Sequence, residues 1–366
     1  MRELWRNHFK NFDWLLLAAI LLLLCFGLIE IYSIAMGQGQ GDFTDFKKQI
    51  LFLILGSGIL IGFSFVDFHF LKSLHRYLYI FGIIMLLAVL VLGQSINGTK
   101  GWFSIAGFGI QPVELVKIIL IIFLARLFSN PAFKTRPLKY FLLSGATTMV
   151  LVALVLAQPD FGSALILLFI WVFMLIVTGF HRRYFIAILL IAAVIFGGAW
   201  LFFFKDYQKQ RILTFLNPSY NSLNQGYNIN QAIIAVGSGG LTGRGVGFGS
   251  QSQLKFLPEA HTDFIFAVIA EELGFLGIIL VFSFYGVFFL RSIKSLEKIN
   301  DDFAIFVVLG GVGLIFVEMF INIGMNIGLL PVVGIALPFI SYGGSSVLAS
   351  LLLVGVIQNI IIKSRT

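Results

Sequence analysis

The chain is built from apolar runs of about twenty residues, broken by short polar stretches. A bilayer core about 30 Å thick needs about 20 helical residues to cross it. The hydrophobic pattern therefore predicts ten spanning helices, at roughly 14–36, 47–66, 75–93, 112–129, 139–157, 161–179, 183–204, 264–290, 304–326 and 335–362. The fifth and sixth runs are separated only by "QPDF", so they form a tight hairpin. The first run follows a charged N-terminal stretch, as in a signal peptide. It is too long for such a segment and no small-residue cleavage site follows, so it reads as the first span.

Composition agrees with this pattern. Hydrophobic residues make up 59% of the 366 positions and charged residues only 11%, against about 45–50% apolar in soluble domains. The formal charge of +8 raises nucleic acid as a ligand, but the placement of the cations argues for topology. Sixteen Lys and Arg fall on the side of the N-terminus and every second connection: Arg2, Arg6, Lys10, Lys72, Arg76, Arg126, Lys134, Arg136, Lys139, Arg182, Arg183, Arg291, Lys294, Lys298, Lys363 and Arg365. Eight fall on the other side, namely Lys47, Lys48, Lys100, Lys205, Lys209, Arg211, Arg244 and Lys255, and Lys117 lies within a span. The positive-inside rule then places both termini in the cytoplasm. The fold class is an all-α integral membrane protein, one polytopic domain over residues 1–366, with a large extracytoplasmic loop at 205–262 between the seventh and eighth spans. The basic side serves topology and anionic headgroups, and no nucleic acid is needed as a partner. Cys25 is the single cysteine, so no intrachain disulfide forms.

Several familiar sites are absent. The run "AVGSGGLTGRGVGFGS" at 235–250 has seven glycines in thirteen residues but neither GxGxxG nor GxxxxGK[ST]. It reads as an irregular loop more than a phosphate cradle. There is no CxxC, no HExxH and no serine nucleophile elbow.

Chemistry-bearing residues gather toward the outer face. In "GIQPVELVKIILIIF", Pro112 suits a first helical position, and Glu114 and Lys117 share a helix face. A charge at the centre of a span costs about 2.5–3.5 kcal/mol. Lys117 therefore belongs either to a self-neutralising pair that locks helices or to a polar cavity open to an anionic ligand. Its place near the outer edge favours the cavity. Asp160, in "LAQPDFGSALIL", has the setting of a turn and helix cap. Glu318 and Asn322 lie four apart within a span and read as a buried hydrogen-bonded pair. Between residues 326 and 352, Pro331, Pro338 and Gly343–Gly344 interrupt an apolar stretch. Such backbone survives at membrane depth only where protein or a water-filled cavity satisfies it, which predicts that Ser341, Tyr342, Ser345 and Ser346 line that cavity.

The stretch "LPEAHTDFIFAVIAEELG" at 257–274 places Glu259, His261 and Asp263 at the start of the eighth span. Thr262 or Asp263 can cap that helix, although no Glu or Gln follows three residues later as a capping box requires. If 259–263 is extended, the three ionisable groups share one face. They could then activate a hydroxyl or hold a hard divalent cation such as Mg or Mn. Capping and catalysis are compatible roles for Asp263.

Together these segments resemble the SEDS family (shape, elongation, division, sporulation) of peptidoglycan glycosyltransferases. The resemblance runs nearly the whole length, through "IQPVELVKI", "QPDFGSA", "RILTFLNPSYNSLNQGYNINQAIIAVGSGG", "LPEAHTDFIFAVIAEELG" and "GLLPVVGIALPFISYGGSS". "SQSQLKFLPEAHTDFIF" looks more like the elongation members than the division members, and there is no extended cytoplasmic N-terminus of the division sort. One departure is "NGTKGWF", where Gly101 stands before Trp102 in place of the family's usual basic residue.

The resemblance implies lipid II as both donor and acceptor and a β-1,4 glycan as product, made for elongation and rod shape. It implies Asp263 as the catalytic acid/base, with Glu114, Lys117 and Asp160 lining a central outward cavity. A class B penicillin-binding protein (a transpeptidase) and the elongation machinery are the implied partners. An outward-facing site has no nucleotide to drive synthesis, so the donor must arrive activated, as a polyprenyl pyrophosphate sugar does. Lys117, Arg244, Lys255 or a divalent cation would offset charge on the leaving pyrophosphate. The rivals are a lipid II flippase, which needs a cavity but no base at one membrane edge, and a non-catalytic scaffold for a penicillin-binding protein.

Overall fold

The computed structural model describes residues 8–37, 43–96, 98–105, 108–202 and 225–365. Arg2, Arg6, Lys205, Lys209, Arg211 and residues 205–224 of the expected outer loop lie outside the described residues. Eleven described helices of eight residues or more carry the fold: α1 (Trp14–Gly37), α2 (Thr44–Phe65), α3 (Phe68–Leu92), α4 (Pro112–Phe128), α5 (Pro137–Leu156), α6 (Phe161–Val177), α7 (Arg182–Phe202), α8 (Gln225–Ser238), α9 (Ile265–Ser295), α10 (Asp302–Asn326) and α11 (Gly344–Arg365). Seven of them (α1, α2, α3, α5, α9, α10 and α11) are long and apolar enough to cross a membrane. The protein is multi-pass.

Local chemistry sets several boundaries. Pro112 opens α4 at its first turn, where a missing N–H leaves no bond unmade. Asp160 caps α6 by accepting from Ser163 N–H, and Asp301 caps α10 by accepting from Phe303 and Ala304. Helices α10 and α11 form the centre, with 67% and 72% of their most apolar windows buried against 17% for α3, which is peripheral. Helix α11 packs on α2, α4 on α3, and α9 on α1.

Three elements depart from the hydrophobic pattern. The last run is helical only from Gly344, and residues 331–337 are irregular although apolar. The backbone from 335 to 341 is tied to protein: Asn322 Nδ2 donates to Ile335 O at 2.7 Å, Gln49 Nε2 to Ser341 O at 3.3 Å, and the buried Tyr285 hydroxyl to Pro338 O. Between α3 and α4 lies an antiparallel three-stranded sheet that the all-α reading lacked: β1 (Gln94–Ile96), β2 (Thr99–Ile105) and β3 (Phe108–Ile110). β1 and β3, of three residues each, are too short to show a period against an apolar background. Within the expected outer loop, α8 buries Ala232 and Ala235 against Leu257, Ala260, Phe264 and Ala267.

The third departure is a break in α9 at Gly274, whose φ of 65° and ψ of −161° are not helical. The glycine-rich segment lies against this break and caps both broken ends. Arg244 and Gly245 N–H groups donate to Glu271 O (3.0 Å) and Glu272 O (2.9 Å), while Phe275 and Leu276 N–H groups donate to Gly240 O and Leu241 O (3.0 and 3.1 Å). A Cβ on Gly243 would fall 2.1 Å from Glu272 O, so glycine is required for backbone to meet backbone. The glycines serve this contact with the protein's own helix.

Candidate active site

Five helices, α2, α4, α6, α9 and α11, begin at the same end of the molecule, and hydrogen bonds draw their starts together. Gln111, just before α4, donates its N–H to Ser345 Oγ of α11 at 2.8 Å and its side-chain amide to Asp160 Oδ2 at 3.1 Å. Tyr342, before α11, donates its N–H to His261 O at 2.8 Å, and its ring meets the His261 ring edge-on at 5.4 Å. His261 Nε2 lies 3.9 Å from Asp45 Oδ2 at the start of α2. Burial and the adjacent Asp45 carboxylate push the Tyr342 hydroxyl well above its ordinary value. Each helix start carries about half a positive charge, so this end favours anions.

Asp263 sits in the turn that leads into α9. The segment is not extended: Thr262 and Phe264 N–H groups both donate to Glu259 O, and Glu259 itself has a positive φ of 53°. The alternating-face expectation for Glu259, His261 and Asp263 is thereby corrected. His261 turns toward Asp45 and Tyr342, and the exposed Glu259 accepts from the Thr262 hydroxyl at 3.1 Å. Nor does Thr262 or Asp263 cap α9, whose N-cap is Phe264 without a side-chain bond. The capping acceptor comes from α10, where Asn326 Oδ1 takes the Ala267 N–H at 3.1 Å. Asn322 and Asn326 then clamp the Asp263 backbone carbonyl at 3.0 and 2.9 Å, and Ser341 Oγ donates to Thr262 O at 2.6 Å.

The Asp263 carboxylate is left without a hydrogen-bond donor among the described residues. It points toward Gly334, where a Cβ would stand 3.6 Å from Oδ2. Burial, reinforced by the Glu259 carboxylate, pushes its pKa up from 3.8 to about 6. A base that titrates just below neutrality, on a held backbone with a free carboxylate, suits proton abstraction from a hydroxyl. Among the described residues, no three His, Cys, Asp or Glu side chains gather as a metal site. Asp263 and Glu259 are too few to encage a hard cation alone.

Lys117 is placed differently from the cavity expectation. It is 4% exposed, and its ammonium donates to Glu114 Oε1 at 2.8 Å and Glu318 Oε1 at 2.6 Å. The helix-locking alternative therefore describes the geometry, with Glu318 as a third member, and among the described residues Asn322 bonds to Asp263 O and Ile335 O instead of Glu318. Beside the triad is a space of about 10 Å³, the size of one water. Arg244 donates to Ser250 Oγ at 2.8 Å beside Glu271, which lies about two turns into α9, beyond the turn that carries Asp263. Lys255 is exposed and makes no ion pair among the described residues. Ser341 is buried in the backbone clamp, Ser345 holds Gln111, and Ser346 is partly exposed.

The sequence reading missed Asp45, Gln111, Asn326 and the pair Glu271–Glu272. The spacing of Glu318, Asn322 and Asn326, each four apart, was the available signal for a polar stripe on α10.

Residues 13–366 match the model of the FtsW, RodA and SpoVE family of cell cycle proteins. The chain belongs to that family. It is 35% identical to the probable peptidoglycan glycosyltransferase FtsW of Geobacter metallireducens, over 97% of this chain and 96% of the relative. It is 36% identical to the peptidoglycan glycosyltransferase MrdB of Escherichia coli K12, over 96% and 93%. These two identities do not separate the family's branches. A solved chain from a peptidoglycan synthase complex that coordinates polymerization and crosslinking superposes with a TM-score of 0.81. It is 27% identical and covers 96% of this chain and 98% of its own.

Proposed function

We propose that this protein is an inverting peptidoglycan glycosyltransferase that polymerises lipid II into β-1,4 glycan on the outer face of the cytoplasmic membrane. The carrying observation is the Asp263 carboxylate: raised to a pKa of about 6, free of capping duty and held by the Asn322–Asn326 clamp. The relatives' names support the reaction class. The excess of Lys and Arg on one side supports ten spans with both termini in the cytoplasm, and so an outward Asp263.

In this reading the acceptor sugar hydroxyl gives its proton to Asp263 as its oxygen attacks the anomeric carbon of the donor. The bond from that carbon to the pyrophosphate oxygen breaks, and the electron pair leaves with the polyprenyl pyrophosphate. An α-linked donor thus becomes a β-glycoside. A positioned base contributes about 10²–10⁴-fold. The clustered starts of α4, α6 and α11, with the exposed Lys255, offset charge on the leaving group. Lys117 takes no part in that, because both neighbouring carboxylates hold it. Motif likeness supports an elongation role, and the match to a synthase complex supports a crosslinking partner, a class B penicillin-binding protein.

Transport fits less well. In transporters with broken helices, the exposed helix ends face substrate or ions. The break at Gly274 has its ends filled by residues 240–245 of the same chain.

The test is polymerisation of lipid II by the purified protein and its Asp263→Asn variant, with and without the partner, matched for folded amount. Loss of at least a hundredfold with unchanged folding supports the base. Full activity in the variant returns the reading to flippase or scaffold.

A further inference from the structure

At the end of the molecule opposite Asp263, the start of α1 and the ends of α9 and α11 meet around one buried carboxylate. Asp13, 2% exposed, accepts from Arg291 Nη2 at 2.5 Å and from Arg365 Nη2 at 2.7 Å. Its backbone is paired both ways with the Gln358 side chain of α11, at 3.1 and 3.0 Å. Against this staple lies a cavity of about 100 Å³ lined by Asp13, Arg291, Lys294, Ser295, Glu297, Lys298, Ser364 and Arg365. Four cations face two carboxylates there, leaving two positive charges uncompensated. Lys294 and Lys298 are exposed and make no ion pair among the described residues. Arg291 donates to Asp13 through Nε and Nη2.

The flanks are apolar and turned outward. On α9, Leu290 is 70% and Ile293 48% exposed; on α1, Trp14 is 55% and Leu15 54% exposed. An outward-facing Trp beside a basic cluster is the usual composition of a membrane–water boundary. A ligand that fits both parts carries a phosphate at one end and hydrocarbon at the other.

We infer that the cavity between α1, α9 and α11 binds the phosphate of an anionic phospholipid headgroup, with its acyl chains along Leu290 and Ile293. Basic pockets between spans on the cytoplasmic side hold such headgroups. The bound lipid would bridge α9 to α11 at this end, while the Asn clamp holds α9 at the other. The inference rests on the chain spanning a membrane and is independent of the chemistry proposed for Asp263.

The experiment compares the purified full chain with its Lys294→Gln/Lys298→Gln variant in vesicles of phosphatidylcholine, with or without phosphatidylglycerol. Lipid retained after transfer to neutral detergent is counted by native mass spectrometry, and unfolding temperature is measured alongside. Wild type should retain phosphatidylglycerol over phosphatidylcholine and unfold at higher temperature with it. The variant should bind it about thirty-fold more weakly, the equivalent of about 2 kcal/mol. Both proteins should unfold alike in phosphatidylcholine alone, since the two lysines are exposed. A Lys294→Arg/Lys298→Arg variant should bind as wild type does. Equal retention of the two lipids, or retention unaffected by the glutamines, overturns the inference. So does an equal thermal shift from inorganic phosphate alone, which would make this a simple anion site.

Discussion

Asp263 differs from the other membrane-edge carboxylates in what its oxygens leave undone. Asp160 caps α6 and takes the Gln111 amide, Asp13 holds two arginines, and Asp301 caps α10. The bonds to Asp13 and Asp301 stabilise their ionised forms. Asp263 has no such donor among the described residues, and burial raises its pKa from 3.8 to about 6. Two outcomes follow. Polymerisation should rise with pH up to about 6 and level off above, as the base loses its proton; a pH–rate profile in the presence of partner checks this. Stability should move the other way. A carboxyl that holds its proton more tightly when folded is at full stability below 3.8. That contribution falls as pH rises to about 6 and stays lower above. Asp263→Asn removes the penalty, so the variant should unfold at higher temperature than wild type at pH 7, by at most about 3 kcal/mol. A capping carboxylate would leave the variant's unfolding temperature nearly unchanged, since Asn caps a helix about as well as Asp.

Helix α9 depends on Gly274 in a way its apolar run conceals. A Cβ there would meet Gly243 N at 2.2 Å, and its φ of 65° suits few residues but glycine. Gly274→Ala should cost more than about 2 kcal/mol, because neither backbone can retreat without losing the four bonds that cap the break. Thermal unfolding of the variant, with Gly286→Ala on open helix surface as control, measures it. The pattern of hydrophobicity does place the helices on each side of this break, since about twenty apolar residues in lipid have little alternative. It runs on through 331–337 because apolar residues there face protein instead of lipid, and hydropathy does not distinguish the two. Strands β1 and β3 of the sheet at 94–110 are too short for a period. In the site, Asp263 was legible as an ionisable group at a helix start. The capping expectation failed because Asn326, sixty-three positions away, takes the Ala267 N–H. Glu318 was paired with the wrong partner for the same reason: Lys117 is 201 positions distant. Side-chain partners across helices depend on packing that spacing along one helix does not contain.

The molecule as a whole is held at two ends and across its middle. Asn322 and Asn326 join α10 to the start of α9, the Asp13 staple joins α1, α9 and α11, and the Glu114–Lys117–Glu318 triad joins α4 to α10 between them. The triad carries two carboxylates and one ammonium, so its members are not equivalent. Lys117→Met would leave both carboxylates buried without a cation, which costs about 3–5 kcal/mol. Glu318→Gln leaves the Lys117–Glu114 pair intact and removes the surplus negative charge, so it should cost less than about 1 kcal/mol. Unfolding temperatures of the two variants in the same detergent test this asymmetry. A lysine that instead gripped the substrate's pyrophosphate would give another pattern. Lys117→Met would then fold normally and raise KM for lipid II, while Glu318→Gln would leave KM alone. The observed 4% exposure of Lys117 favours the first pattern. Loss of activity in Lys117→Met should therefore track loss of folded protein, and polymerisation per folded molecule should stay within a few-fold of wild type.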